Sequence, residues 1–137
     1  MKVMVFVQIE PKDETGAMPS DALLAAMGAY NEELVKAGIM LDLGGLKPTS
    51  AGRRVAFRGG TTSVVDGPFT ESKEIVVGYW VWEVGSLEEA VEWARRCPSD
   101  PNDTTTSWLE IRPCASLEDF GAELQEQEAK LAEQLRS

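Results

Sequence analysis

The sequence lacks histidine entirely and has only two cysteines among its 137 residues. Histidine is the commonest general base near neutral pH and the commonest transition-metal ligand. Any chemistry here must therefore use carboxylates, tyrosine, lysine, arginine or cysteine. Cys97 and Cys114 do not have the spacing of metal ligands, which favours two reduced thiols over a disulfide or a zinc site. We predict no metal site and no cofactor.

Long basic runs and long apolar runs are also missing. The net charge is −10 and the isoelectric point is near 4.5, without any cluster of lysine and arginine, so we expect no nucleic-acid partner. The longest apolar run, residues 75–84, is too short to cross a membrane. The N-terminus has the pattern of a strand rather than of a secretory signal. We expect a cytoplasmic protein without a membrane partner.

The sequence does contain an alternation of strand and helix patterns. Ser20 precedes a helix whose apolar side chains recur every three or four residues until Gly38. Gly59-Gly60 joins two short strand-like runs and predicts a hairpin. Ser86 and Glu89 form a capping-box pattern before a second helix. The full prediction comprises strands over residues 2–9, 39–46, 53–58, 61–65, 75–84 and 104–112, and helices after Ser20, after Ser86 and near Ser116.

Residues 75–84 form the central strand of the predicted fold, because both of its alternating faces are apolar. The order of elements is that of an α+β protein, a ferredoxin-like β-α-β-β-α-β sandwich with an inserted β-hairpin. Helices cover one face of such a sheet, so we expect a second copy to cover the other face and form a homodimer. The uncovered face carries either the row of Trp80 and Trp82 or the row of Tyr79 and Val81.

The segment over residues 65–74 contains Asp66-Gly67-Pro68-Phe69 and is followed by Gly78-Tyr79 and by the helix after Ser86. With these motifs in this order, residues 1 to about 113 resemble the DGPF-domain proteins of the YCII-related family. The resemblance implies a dimeric α/β barrel, bacterial and cytoplasmic, related to small-molecule enzymes such as muconolactone isomerase. Some YCII relatives are proposed to use a His-Asp pair, which this chain lacks because it has no histidine. Many relatives are gene neighbours of extracytoplasmic-function sigma factors.

The resemblance divides the chain into a YCII-related, ferredoxin-like domain over residues 1–113 and an extra C-terminal helical extension over residues 114–137. The apolar stripe of the extension is thin, because Gln127 and Glu128 interrupt it. Two arrangements stay open for this helix. It either lies over its own sheet or packs as an arm on a partner subunit.

Asp66 is the candidate catalytic residue, since it matches the aspartate of the family motif. A carboxylate at the mouth of a barrel can act as a general base or anchor a ligand's hydroxyl or amine. The alternative is that Asp66 accepts hydrogen bonds from the main chain of its own turn and has only a structural role.

The candidate ligand-binding residues are Arg53, Arg54, Tyr79 and Glu110. The two arginines lie on opposite faces of one strand, so only one of them can enter a space between two sheets. A buried arginine there needs a carboxylate from Asp66 or Glu110, or an anionic ligand. Tyr79 lines the core or stacks on the ligand. The ligand expected from these residues is small and polar or anionic.

Three functions are compatible with the sequence: a small-molecule enzyme, a ligand-binding protein without turnover, and a non-enzymatic regulatory protein that associates with an extracytoplasmic-function sigma factor. A pocket at the barrel mouth that contains Asp66 and an arginine would favour the first two, whereas a filled barrel would favour the third. The sequence does not decide whether the protein is an enzyme.

Overall fold

The computed structural model describes residues 1–16 and 19–136. The fold is α+β, with antiparallel sheets and three helices. Its strands and helices are β1 (Lys2–Ile9), α1 (Asp21–Lys36), β2 (Met40–Gly45), β3 (Arg53–Arg58), β4 (Thr61–Asp66), β5 (Ile75–Glu83), α2 (Leu87–Arg95), β6 (Ser107–Pro113) and α3 (Ala122–Arg136).

Four strands form the main sheet, in the order β2-β5-β1-β6, and every neighbouring pair is antiparallel. The two central strands, β1 and β5, are the ones whose faces are both apolar. This order is consistent with the predicted ferredoxin-like fold. Strands β3 and β4 form a separate two-stranded hairpin between β2 and β5 in the chain. Among the described residues, none of the three helices is long and apolar enough to cross a bilayer.

The hydrophobic core lies between α1, α2 and one face of the main sheet. Trp82 is fully buried there and sits opposite Val3 on the neighbouring strand, while Trp80 sits opposite Val5. Tyr30 meets Trp80 edge-on, with 5.9 Å between the ring centroids. The tryptophan row therefore faces the helices. The complete core cluster consists of Val3, Val5, Tyr30, Leu34, Ile39, Trp80, Trp82, Val84 and Ala90.

The opposite face of the sheet carries the row of Tyr79 and Val81, together with Met4 and Phe6 from β1. These four side chains are each partly exposed. The ring of Tyr79 lies against Gly44 on β2, where an added Cβ atom would come within 2.7 Å of it. Glycine at position 44 thus leaves room for the ring over the neighbouring strand.

The helix ends follow the sequence patterns closely. The Ser20 hydroxyl accepts a hydrogen bond from the Leu23 amide at 3.1 Å, and Ser86 accepts one from the Glu89 amide at the same distance. The Glu89 carboxylate reaches the amide of Gly85, one residue before the position expected for a capping box. Both N-terminal caps therefore fix where the helices begin.

The C-terminal helix begins later than predicted. Leu117–Asp119 forms a short 3-10 turn, and α3 starts only at Ala122. The capping box of Ser116 and Asp119 serves that turn rather than the helix, which is why the predicted start near Ser116 was wrong. Leu124, Leu131 and Leu135 are all exposed, and the contacts of α3 are chiefly with the 3-10 turn. In this single chain α3 does not lie along the sheet.

Candidate functional site

The turn after β4 is a tightly packed corner. The Gly67 amide donates to the Gly52 carbonyl at 3.0 Å, which closes the base of the hairpin. A Cβ atom on Gly67 would collide with the Thr49 carbonyl oxygen, so only glycine fits at this position. Phe69, two residues on, is buried. The glycine and phenylalanine of this segment therefore have structural roles.

One carboxylate joins this corner to two other loops. Glu14 accepts hydrogen bonds from the Thr49 amide at 2.8 Å and from the Thr49 hydroxyl at 2.7 Å. The same hydroxyl oxygen accepts a hydrogen bond from the Phe69 amide at 3.1 Å. The loops that follow β1, β2 and β4 are thus held together by side chains that the sequence patterns did not single out.

Arg54 packs on the corner from the hairpin. Its guanidinium lies 3.9 Å from the centroid of the Phe69 ring. It also donates to Glu71 at 2.9 Å and to the Ser72 hydroxyl at 2.7 Å. This predicted ligand-binding residue is therefore engaged by its own chain on three sides.

Arg53 and Asp66 face each other across the hairpin. Their backbones are paired in register, and the Arg53 Nε atom lies 2.7 Å from the Asp66 Oδ1 atom. Both side chains are open to solvent, with 58% of Arg53 and 76% of Asp66 exposed. The Asp66 carboxylate thus contacts an arginine, and the expectation that amides of its own turn hold it was wrong. The reason is that Asp66 still belongs to β4, where its nearest polar neighbour is across the ladder.

Tyr79 and Glu110 occupy a different place from the arginines. Both are paired with Phe6, Tyr79 on one side of β1 and Glu110 on the other. Among the described residues Glu110 has no hydrogen-bond or ion-pair partner. Arg53 pairs with Asp66 instead, because the two residues are opposite each other in the hairpin. The predicted site residues therefore form two groups, one on the hairpin and one on the open face of the sheet.

The structure also contains an apolar cleft of about 620 Å³ that sequence reasoning missed. It lies between α1, α2 and the edge strand β6, on the helix-covered side of the sheet. Met27 of α1, Ala94 of α2 and Leu109 of β6 form parts of its wall. The available signal was one small residue on α2, Ala94, which forms part of the cleft wall facing β6. Neither Asp66 nor the hairpin arginines line this cleft.

Few polar groups reach the cleft. Cys97 is half-buried in its wall, with its Sγ atom 4.0 Å from the Met27 Sδ atom. Burial raises the pKa of the Cys97 thiol, so it stays protonated at neutral pH and is a poor nucleophile. Arg95, Ser99 and Ser107 also line the cleft. The arrangement suits binding of an apolar molecule better than covalent chemistry.

No group of three or more cysteine, aspartate and glutamate side chains suited to a metal ion comes together within residues 1–16 and 19–136.

Comparison with known proteins agrees with the fold. The sequence profile of the YCII-related domain matches residues 1–112. The chain belongs to the YCII-related family. It is also 35% identical over 95 residues to an uncharacterised protein of Rhizobium meliloti (strain 1021), an alignment that covers 69% of this chain and 75% of that protein. Helix α3 lies beyond the matched YCII-related region.

Proposed function

We propose that this YCII-related protein binds a small, mainly apolar molecule in the cleft between α1, α2 and β6. The observation that carries this proposal is the cleft itself. Its volume of about 620 Å³ lies within the range of small-molecule sites, and its lining is largely apolar, including Trp80 and Ile111. The Trp80 side chain is nearly buried at the base of the cleft, and its indole nitrogen already donates to the Asn31 Oδ1 atom at 2.9 Å. An aromatic or branched aliphatic group fits this lining.

The polar residues suggest what the other end of the ligand carries. Among the described residues that line the cleft, Arg95 is the only lysine or arginine. Its side chain is mostly exposed, and its Nη1 atom lies 3.8 Å from the Glu92 Oε1 atom. A guanidinium at the rim binds a carboxylate or sulfonate while the apolar part of the ligand is buried. The proposed ligand class is therefore an apolar molecule with one anionic end, which retains the anionic group expected from the sequence and adds an apolar body.

An anionic fluorescent naphthalene, 1-anilinonaphthalene-8-sulfonate, is a suitable probe because it has both features. We expect saturable binding to the full chain and a raised Tm. Ala94→Phe fills the cleft and should abolish both effects, whereas Ala29→Phe, on an exposed position of α1, should leave them unchanged. Arg95→Gln should weaken binding of the sulfonate but not of a neutral analogue. Equal binding by both phenylalanine variants would contradict the proposal.

The second location for a ligand is the one expected from the sequence, at the barrel mouth near Asp66. It requires that the open sheet face of one copy meets that of another, so that Tyr79 and Glu110 line an enclosed space. The partly exposed apolar row of Met4, Phe6 and Val81 supports such a homodimer. So does Gln8, a buried residue at the end of that row whose Oε1 atom has no partner within the described chain. Probe binding that is lost in Asp66→Ala but kept in Ala94→Phe would favour this location.

The other candidate function is a non-enzymatic interaction with an extracytoplasmic-function sigma factor. The exposure of Arg53 and of the hairpin around it favours this function, because an exposed hairpin offers a surface for a protein partner. Titration of a purified sigma factor from the same genome into the full chain tests it directly. Binding that is saturable and lost in Phe57→Ser would support the interaction, and the absence of binding would contradict it.

A further inference from the structure

Two elements of this chain each expose an apolar face that nothing in the described residues covers. The first is the hairpin of β3 and β4. Its cross-strand pairs place Val55 and Val64 side by side, with Phe57 next to them, and Phe57 is 79% exposed. A two-stranded hairpin is marginally stable alone and needs a third strand or a helix against one face.

The second element is α3. Leu124, Leu131 and Leu135 lie along one side of this helix, and Leu135 is 87% exposed. Most of the stability of a protein helix comes from packing its apolar side, since short isolated helices are marginal in water. The helix has 15 residues and each hairpin strand has six, which correspond to lengths of about 22 Å and about 20 Å. The apolar side of α3 is therefore long enough to cover the apolar face of the hairpin.

The charges of the two elements are complementary. The hairpin carries Arg53, Arg54 and Arg58, although the whole chain has a net charge of −10. Arg53 is paired with Asp66 and Arg54 with Glu71, so among the described residues Arg58 is the one hairpin arginine without an ion-pair partner. Helix α3 carries four glutamates against Lys130 and Arg136. The unpaired charge of Arg58 attracts an acidic helix and repels the same charge on a second hairpin. Charge thus favours the hairpin-helix pair over a pair of hairpins or a pair of helices.

The positions of the two elements favour a contact between two copies over a contact within one chain. The hairpin leaves the main sheet beside the start of β5, where Ile75 is paired with Ile9. Helix α3 follows the end of β6, where the Cys114 amide donates to the Lys2 carbonyl at 2.8 Å. The two elements therefore start at opposite ends of β1. A two-fold axis perpendicular to the strands brings opposite ends of two copies together.

We propose that α3 of one copy packs on the β3-β4 hairpin of a second copy, reciprocally, in an antiparallel homodimer. Each copy then covers the apolar face of the other's hairpin, and the two contacts are identical by symmetry. This contact involves α3 and the hairpin alone and does not depend on the ligand cleft. It selects the partner arm from the two arrangements that the sequence left open for the C-terminal helix.

Site-directed cross-linking tests this arrangement in the full-length protein with Cys97 and Cys114 replaced by alanine. Phe57→Cys and Leu131→Cys are made in separate chains, and one of the two is isotope-labelled so that mass spectrometry tells them apart. When they are mixed and treated with a short bis-maleimide, we expect mixed dimers to form roughly 10- to 100-fold faster than with Ala56→Cys, on the other hairpin face. Val64→Cys serves as a second hairpin position.

Each alternative gives a different product. A cross-link within one chain, seen in the Phe57→Cys/Leu131→Cys double variant as a monomer, would overturn the proposal, because α3 would then cover its own hairpin. Homotypic Leu131 to Leu131 links without mixed ones would also overturn it, as would no preferential cross-link from either hairpin position. Sedimentation gives an independent measure. Phe57→Ser should weaken the dimer at least roughly tenfold, whereas Ala56→Ser should not.

Discussion

The four-stranded sheet with α1 and α2 buries its apolar side chains, whereas the hairpin and α3 expose theirs. Trp82 is fully buried between sheet and helices, whereas Phe57 on the hairpin and Leu135 on α3 are 79% and 87% exposed. Both parts have regular backbone hydrogen bonding, so secondary structure alone does not distinguish them. The difference shows that one chain holds a complete core together with two elements whose apolar sides remain uncovered.

Removal of the central tryptophan should have the largest effect on the free energy of unfolding. Trp82→Ala should lower the free energy of unfolding by about 3–5 kcal/mol, because it leaves a cavity between β5 and the helices. Phe57→Ala, an aromatic truncation on the hairpin, should change it by no more than about 0.5 kcal/mol at protein concentrations where the chain is monomeric. Urea unfolding measures both. Similar losses would mean that the hairpin belongs to the core.

A smaller loss is expected at the corner where the hairpin meets the sheet. Thr49→Val removes the hydroxyl that binds Glu14 and Phe69, and it leaves partly buried groups without partners. We expect a loss of about 1–3 kcal/mol in urea unfolding. Thr62→Val makes the same change on the exposed hairpin and should be close to neutral. An equal loss for the two variants would show that the Thr49 hydroxyl stabilises the fold no more than an exposed threonine hydroxyl does.

The core also predicts a dependence of stability on alkaline pH. Burial raises the pKa of Tyr30, whose hydroxyl donates to the Trp93 carbonyl at 2.6 Å. The folded protein then holds this proton more tightly than the unfolded chain, so the stabilisation is complete below the ordinary tyrosine pKa of about 10 and is lost as pH rises above it. Tyr30→Phe should flatten this fall in Tm. Cys97→Ser is the control. The raised pKa of the Cys97 thiol also makes stability fall as pH rises, so this variant separates the contribution of Cys97 from that of Tyr30.

The smallest effect is expected at the exposed ion pair of the hairpin. Asp66→Ala should lower the free energy of unfolding by about 0–1 kcal/mol, because both side chains are mostly in water and the attraction is screened. Asp66→Asn should be equally mild, and added salt should remove the difference from the parent chain. A loss of several kcal/mol in either variant would show that Asp66 is buried in a larger assembly.

The sequence was a good guide where local rules decide the outcome. Period-two alternation located the main strands, Ser20 and Ser86 marked both helix starts, and Gly59 and Gly60 adopt the positive φ angles that the two-residue hairpin requires. The order of elements also indicated the four-stranded sheet. These features depend on neighbouring residues in the chain, so one sequence suffices to find them.

The candidate site was harder to predict because it depends on contacts between distant segments. Glu14 carried no pattern of its own, yet it binds Thr49 across 35 residues of chain. The apolar cleft depends on how α1 and α2 pack against β6, and no local rule sets the space between them. The pairing of Arg53 with Asp66 was one of the pairs that the sequence predicted as possible. The exposure of the two side chains depends on how the hairpin projects from the main sheet, which no local pattern specifies.

The bridge from Glu14 through Thr49 to Phe69 has a consequence for the order of folding. Its three residues belong to loops that are separated in the chain by 35 and 20 residues. Each separation imposes a loop-closure cost that the contacts recover only once β1, β2 and β5 are side by side. We expect the corner to open before the tryptophan core does, because a few part-buried hydrogen bonds hold it, whereas large buried apolar side chains hold the core. Local opening of this bridge would free the hairpin to swing about Gly52 and Gly67 while the sheet stays intact.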